Sequence, residues 1–334
     1  MSKKALITGI TGQDGSYLAE FLLQKGYDVF GIVRKTSHFL HPNIAHIQHN
    51  LKLIYADLLD PVSIDLTLRE VQPDEVYNLA SQSAPSESFK QPIHTAEITG
   101  IGAHRVFEAI RKACPGARCY QASSSEMFGW VKEIPQSEET PFNPANPYAA
   151  AKLYAHNISR IYRKSYEMFI SNGILFNHES PRRGLGFVTQ KVTYAAACAK
   201  LGIRESKFLN ESGDPIFKDG KVALGNLDAT RDWGFSGDYV EAMWLMIQHQ
   251  EPDDFVVATG KPYSIKNLCE MAFGYVGLDW EKFVIVDPRF IRPTETGPLV
   301  GNFSKAKKAL GWEPKMQFSD LVALLVDAHI SRLQ

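Results

Sequence analysis

The chain is predicted to be an α/β protein with a doubly wound parallel sheet and a smaller C-terminal subdomain. Three observations carry this expectation. Short apolar runs alternate with helical patterns over the first half of the chain. A glycine-rich turn joins the first apolar run to the first helix. The second half loses the regular alternation, as a separate lobe would. Taken in order, residues 5–8 read as a short buried strand, and residues 16–25 as an amphipathic helix closed by Gly26. Further strands are expected at 28–33, 53–56, 75–79, 119–122 and 169–175, with helical patterns between them. Beyond them come a helix at 188–200, a polar, glycine-containing stretch at 202–221, a short strand at 222–224 and a helix at 239–248. The expected division is residues 1–176 for the sheet domain and 177–334 mainly for the smaller one. Some elements of about 222–258 should return to the sheet.

In such a sheet, ligands bind outside the strand C-termini. The turn after the first strand holds Gly9, Gly12 and Gly15, with Thr11, Gln13 and Asp14 between them. Glycines there let backbone approach a pyrophosphate, and the helix N-terminus offers N–H groups and a positive dipole. The spacing is Gly-x-x-Gly-x-x-Gly, not the Gly-x-Gly-x-x-Gly of the standard dinucleotide motif. A turn without a ligand would also be glycine-rich. The strand before and the helix after favour a Rossmann-like dinucleotide site. A site for NAD usually ends its second strand in Asp or Glu, whereas this chain has Arg34 and Lys35. Two cations suit a 2′-phosphate, so NADP is the expected cofactor, although an exposed basic loop would carry the same residues. Asp57 and Leu58 suit the adenine edge, and Leu79 and Ala80, after Asn78, suit packing beside the cofactor. Plain strand-end chemistry would read the same way.

Ser123-Ser124-Ser125-Glu126 and Tyr148-Ala-Ala-Ala-Lys152 supply candidate chemistry. Tyr-x-x-x-Lys on a helix puts phenol and ammonium on one face, one turn apart. The lysine charge is expected to favour phenolate, so that the tyrosine acts as a base below its free pKa of about 10. A serine from the preceding strand end, Ser124, can share a substrate oxygen with Tyr148. That trio suits removal of an alcohol proton while hydride leaves the carbon. Glu126 adds a carboxylate that simple dehydrogenation does not need and that elimination of water does. Each fragment alone has a bland explanation, as a surface pair or a helix cap. Their conjunction with the glycine turn favours catalysis.

The 334 residues can bury a sizeable core and hold two subdomains. A hydrophobic fraction of 44% is ordinary for a globular protein, and a net charge of −1 gives no reason to invoke nucleic acid or a membrane surface. No secretory signal or spanning run is read. Cys114, Cys119, Cys198 and Cys269 make neither a zinc pattern nor a disulfide frame, so a reducing cytoplasm is the expected location.

The chain resembles the extended short-chain dehydrogenase/reductases, and among them the GDP-mannose 4,6-dehydratases. The resemblance spans nearly the whole length. It rests on Gly-Ile-Thr-Gly-Gln-Asp-Gly-Ser-Tyr-Leu from Gly9, Asn-Gly-Ile-Leu-Phe-Asn-His-Glu-Ser-Pro-Arg-Arg-Gly from Asn172 and Leu-Gly-Asn-Leu-Asp-Ala-Thr-Arg-Asp-Trp-Gly from Leu224. Arg-Pro-Thr-Glu from Arg292 and Leu-Gly-Trp-Glu-Pro from Leu310 add to it. It implies that the C-terminal subdomain binds a sugar nucleotide, and that a 4-keto-6-deoxy sugar forms with no net redox change. Ser124, Glu126, Tyr148 and Lys152 are the implied catalytic residues, with Lys152 also holding the nicotinamide ribose. Ser83, Asn177, Lys191, Arg231, Arg292 and Glu295 are the implied substrate contacts, the cations for a diphosphate and Glu295 for the guanine N–H edge. A homodimer or homotetramer is implied as well.

Departures from the family pattern stand beside these matches. Ala84 and Pro85 follow Ser83 where the family has a histidine and a small apolar residue. Residues 204–221 look longer than the family segment and are expected to form an added loop or hairpin at the sugar-nucleotide cleft; a surface excursion is the alternative. His38, His41, His46 and His49 crowd one loop, without the carboxylate or cysteine that a metal site would add, so no metal is expected. A related GDP-hexose or GDP-heptose of manno configuration therefore stays open as substrate. A sugar-nucleotide 4-reductase or 4-epimerase would share Tyr148 and Lys152, and a silent nucleotide-binding regulator would share the fold.

Overall fold

The computed structural model describes residues 2–35, 41–210, 212–291 and 296–334. The strands are β1 (Lys4–Thr8), β2 (Asp28–Val33), β3 (Lys52–Tyr55), β4 (Glu75–Asn78), β5 (Arg118–Ser124), β6 (Ile170–Leu175), β7 (Asn177–Glu179), β8 (Phe217–Lys218), β9 (Lys221–Leu224), β10 (Thr230–Phe235), β11 (Asp254–Val257), β12 (Pro262–Ser264) and β13 (Val284–Val286). The helices are α1 (Gln13–Gln24), α2 (Pro61–Val71), α3 (Pro85–Lys90), α4 (Pro92–Thr95), α5 (Gly102–Ala113), α6 (Pro147–Ser165), α7 (Val188–Lys200), α8 (Ser236–Gln248), α9 (Ile265–Tyr275), α10 (Ser304–Leu310) and α11 (Phe318–Leu333).

Seven strands form one parallel sheet in the order β11-β6-β5-β4-β1-β2-β3. The chain winds outward from β1 through β2 and β3, then returns to the far side of β1 and winds the other way. The reversal opens a crevice above the C-terminal ends of β1 and β4, where such sheets bind ligands. Both faces are covered. Leu18 and Leu22 of α1 pack with Met243 and Met246 of α8 on one side. On the other, Ile64 and Leu68 of α2 pack with Val106 and Phe107 of α5 and Ala155 of α6. Burial on both faces explains the unbroken apolar runs of the central strands, such as β6, where every residue is buried.

The smaller lobe holds two three-stranded sheets, β12-β10-β7 and β13-β9-β8. Its core joins Val192 and Ala195 of α7, Leu268 and Phe273 of α9, and Leu321 and Leu325 of α11. The return to the large sheet is made by α8 and β11, later than residue 222, because β9 and β10 are taken up by the small sheets. After β13 the chain goes back again: Ala306 of α10 and Trp312 lie in the large-sheet core, whereas α11 lies in the small one. Helix α1 begins at Gln13, three residues before the expected start, with Gly12 as its N-cap. All four cysteines are free and buried.

Candidate active site

The glycine turn is shaped by backbone demands. Gly9 has φ +73°, and a Cβ there would sit 3.0 Å from the backbone of Ala80. A Cβ on Gly15 would lie 2.3 Å from the Gly9 carbonyl oxygen. Gly12 N–H closes the turn onto that carbonyl at 3.0 Å. A Cβ on Gly12 would meet nothing else within 4 Å, so this side of the turn is bare backbone facing open space. That is the cradle a pyrophosphate needs. The adjoining cavity, of about 410 Å³, is lined by Gly9, Thr11 and Gly12 of the turn and by Arg34 after β2. Asp57 and Leu58 after β3, Leu79 and Ala80 after β4, and then Ser83 complete its expected members. These expected positions, scattered over the first 83 residues, therefore share one crevice. A polar ladder beneath it was not foreseen. Thr8 Oγ1 donates to Asn78 Oδ1 at 2.7 Å and accepts from Leu79 N and Ala80 N, both at 3.0 Å. Asn78 Nδ2 in turn donates to Gln121 Oε1 at 2.7 Å. Asn78 thus ties β1, β4 and β5 together rather than packing beside a ligand.

The candidate catalytic residues gather at the end of β5 and the start of α6. Ser124 caps the short turn after β5, its Oγ accepting from Glu126 N at 3.2 Å. It also hydrogen-bonds Tyr148. Lys152 Nζ lies 5.8 Å from the Tyr148 ring centre and donates to Ala122 O at 2.8 Å. Ser124, Glu126, Tyr148 and Lys152 are all buried. Burial pushes the Tyr148 phenol up to about 12, against the Ser124 hydrogen bond, which lowers it. Burial likewise pushes Lys152 down to about 8, opposed by the charge of Asp14. The expected lowering of the phenol by the ammonium is therefore not found. Desolvation dominates, and the lysine directs a proton at a carbonyl. Asn146, which the sequence reading passed over, donates from Nδ2 to Glu126 Oε2 at 2.9 Å and accepts from Ala149 N at 2.8 Å.

Gln13 and Asp14 have side chains tied into the small lobe. Asp14 accepts from His178 Nε2 at 2.8 Å and from Ser236 Oγ at 2.9 Å. Gln13 donates to His178 O and accepts from Ser180 Oγ. Burial alone would raise the Asp14 pKa, but His178 holds the carboxyl well below the usual range. His178, also opposed by burial, is raised by Asp14. The Asn-His-Glu-Ser stretch thus staples β7 to the glycine turn. The side chains of Gln13 and Asp14, expected at the cofactor, are thus engaged within the protein.

Of the expected substrate contacts, Asn177 opens β7 opposite Trp233 of β10. Lys191 on α7 is buried, its Nζ 5.2 Å from the Phe290 ring centre. Arg231 on β10 is buried and donates to Thr230 O at 2.8 Å. The neighbouring Asp232 has a separate, structural role, binding the backbone N–H groups of Thr259, Gly260 and Gly301. Arg292 and Glu295 lie outside the described residues, as does His38. Among the described histidines of that loop, His46 pairs with Glu20. The described residues hold no group of three or more metal-ligating side chains, and no described helix is long and apolar enough to cross a membrane. The 204–221 stretch ends in a hairpin, β8–β9, turned by Asp219 and Gly220 with φ +53° and +74°. Asp214 within it meets Arg289 at 3.3 Å.

Comparison with known proteins places this architecture. The family model for GDP-mannose 4,6 dehydratase matches residues 6–325. GDP-mannose 4,6 dehydratase 1 of Arabidopsis thaliana is 49% identical, over 98% of this chain and 90% of that protein. The GDP-mannose 4,6 dehydratase of Homo sapiens is 46% identical, over 99% and 92%. Among solved structures, a UDP-glucose 4-epimerase of Thermotoga maritima with UDP-glucose has a TM-score of 0.85 at 22% identity, covering 99% of this chain and 100% of that one. A dTDP-glucose 4,6-dehydratase of Bacillus anthracis in complex with NAD has a TM-score of 0.82 at 20% identity, covering 99% and 97%. The two structures share the fold. Sequence match along almost the whole length goes further, and by it the chain belongs to the GDP-mannose 4,6-dehydratase family.

Proposed function

We propose that this chain converts GDP-mannose to a GDP-4-keto-6-deoxy sugar, with NADP as a bound, recycled cofactor. The observation that carries the reading is Glu126. It is a buried carboxylate at the end of β5, two residues from Ser124, and Asn146, which caps the Tyr148 helix, is hydrogen-bonded to it. Oxidation alone leaves that carboxylate without a task, whereas dehydration requires it.

The chemistry a bound nicotinamide supplies is acceptance of hydride from C4, its return to C6, and a positive charge that favours the phenolate. Tyr148 takes the C4 hydroxyl proton while Ser124 shares that oxygen. Burial raises the Tyr148 phenol to about 12, so its ionisation needs positive charge beside it. Lys152 steadies the phenolate and binds the nicotinamide ribose. The ketone at C4 acidifies the C5 hydrogen. Glu126 removes that proton and passes it to the C6 hydroxyl as water leaves, then relays a solvent proton back to C5. Arg34 and Lys35, both exposed after β2, favour NADP over NAD.

The remaining members of the reading are Lys191, Arg231 and Arg292 for the diphosphate, Glu295 for guanine, and Ser83 and Asn177 for the sugar. Residues 1–176 with the returning α8 and β11 hold the cofactor, and the rest mainly holds the sugar nucleotide. Assembly as a homodimer or homotetramer belongs to the same reading. Ala84 and Pro85 set the start of α3 apart from the family pattern, so related GDP sugars of manno configuration belong in the test. The test is incubation of the purified chain with GDP-mannose and a panel of GDP-hexoses and GDP-heptoses, without added cofactor, read by mass spectrometry. Loss of one water with a new ketone is expected. An epimer, or no turnover of any GDP sugar, would overturn the reading.

A further inference from the structure

We infer that Asn146 is a positioning residue that orients Glu126, an inference that rests on the dehydratase reading. Its amide is oriented without ambiguity. Ala149 N–H is a donor, so the atom it meets at 2.8 Å must be Oδ1, the N-cap acceptor of α6. The remaining atom, Nδ2, then points a donor at Glu126 Oε2, 2.9 Å away. An amide has no titratable proton, so this contact can only donate.

Asn146 immediately precedes the helix that carries Tyr148, so one planar group fixes the carboxylate relative to the phenol. The two reacting groups are thereby kept in register even though they lie on different elements.

Ser and Asp are both good N-caps, so Asn146→Ser and Asn146→Asp keep the acceptor for Ala149; the ionised Asp removes the donor outright, and the shorter Ser withdraws its one O–H from Glu126. Asn146→Asp also sets a second carboxylate beside Glu126. Both should leave the melting temperature close to wild type. Both should lower kcat about 10- to 100-fold at neutral pH, Asn146→Asp the further, with KM for the GDP sugar little changed. Uptake of solvent deuterium at C5 should fall, while hydride loss from C4, followed by nicotinamide absorbance, persists. A wild type that does not dehydrate GDP sugars overturns the underlying reading. A working wild type whose Asn146→Asp variant keeps wild-type kcat and C5 exchange overturns the role of Asn146, as does a uniform loss of both steps together with thermal stability.

Discussion

Asp14 and His178 offer a quantitative test of how the glycine turn is held. Asp14→Asn keeps the shape and removes the charge. His178 Nδ1 is 2.8 Å from Phe176 O, so its proton sits on that nitrogen when the ring is neutral, and Nε2 is then free to accept from the new amide. The Ser236 and Gln13 donors reach Oδ1 and still find an acceptor. A charge-assisted hydrogen bond is therefore replaced by a neutral one, a loss of about 1–2 kcal/mol. Asp14→Ala instead strips the partner from a buried cation, which costs about 3–5 kcal/mol. At an unfolding entropy of roughly 0.7 kcal/mol/K for a chain of this length, these correspond to about 2 °C and about 4–7 °C in Tm.

The pH dependence has a definite sign. His178 has a folded pKa raised above the ordinary 6.5, so its contribution is complete below that value and is lost as pH rises through the raised folded value. Asp14 has a folded pKa below 3.8, so its contribution is present above that value and is lost as pH falls. The deficit of Asp14→Asn should be largest between about pH 4 and 6.5 and shrink above it. Thermal unfolding of the cofactor-free protein across that range reads it. A deficit equal to that of Asp14→Ala, or one that grows with pH, would refute the assigned pair.

Three further outcomes are expected. Tyr148→Phe should lower kcat about 10²–10⁴-fold by blocking the first hydride transfer, whereas Glu126→Gln should let reduced nicotinamide accumulate without loss of water, as rapid mixing would reveal. If Arg34 meets a 2′-phosphate, Arg34→Asp should narrow or reverse the preference for NADP over NAD in equilibrium binding; equal binding of both by the wild type would defeat that assignment. Shortening the 204–221 stretch while keeping the Asp219–Gly220 turn should alter kcat/KM ratios among GDP sugars more than NADP affinity, and unchanged ratios would place the stretch outside recognition.

Much of the crevice was legible because strand, glycine turn and helix each leave a local signal. Gly9, Arg34, Asp57 and Ala80 could be grouped by the rule that strand C-termini converge. Tyr148 and Lys152 were legible because one turn of helix separates them. Asn146 was not, since a lone Asn-Pro before a helix reads only as a cap, and its second partner lies in another element. Thr8, Asn78 and Gln121 are each ordinary polar residues whose ladder exists only once β1, β4 and β5 are adjacent. The Asp14–His178 contact joins residues from different lobes, and no pattern along the chain announces it. The phenol of Tyr148 departed from expectation for a related reason. Its pKa depends on how deeply α6 is buried, which Tyr-x-x-x-Lys spacing does not encode.

The chain passes between its two cores repeatedly: into the small lobe after β6, back for α8 and β11, out again for β12, α9 and β13, back for α10, and out for α11. Two bodies joined by one linker can swing apart, whereas two bodies laced together by several crossings resist it. Engulfing a substrate by swinging one lobe would require bending every crossing at once, so adaptation to ligand falls to loops at the crevice mouth. The same lacing removes any single cut that would free one lobe as an independently folding fragment. The protein should melt in one cooperative transition despite its two cores.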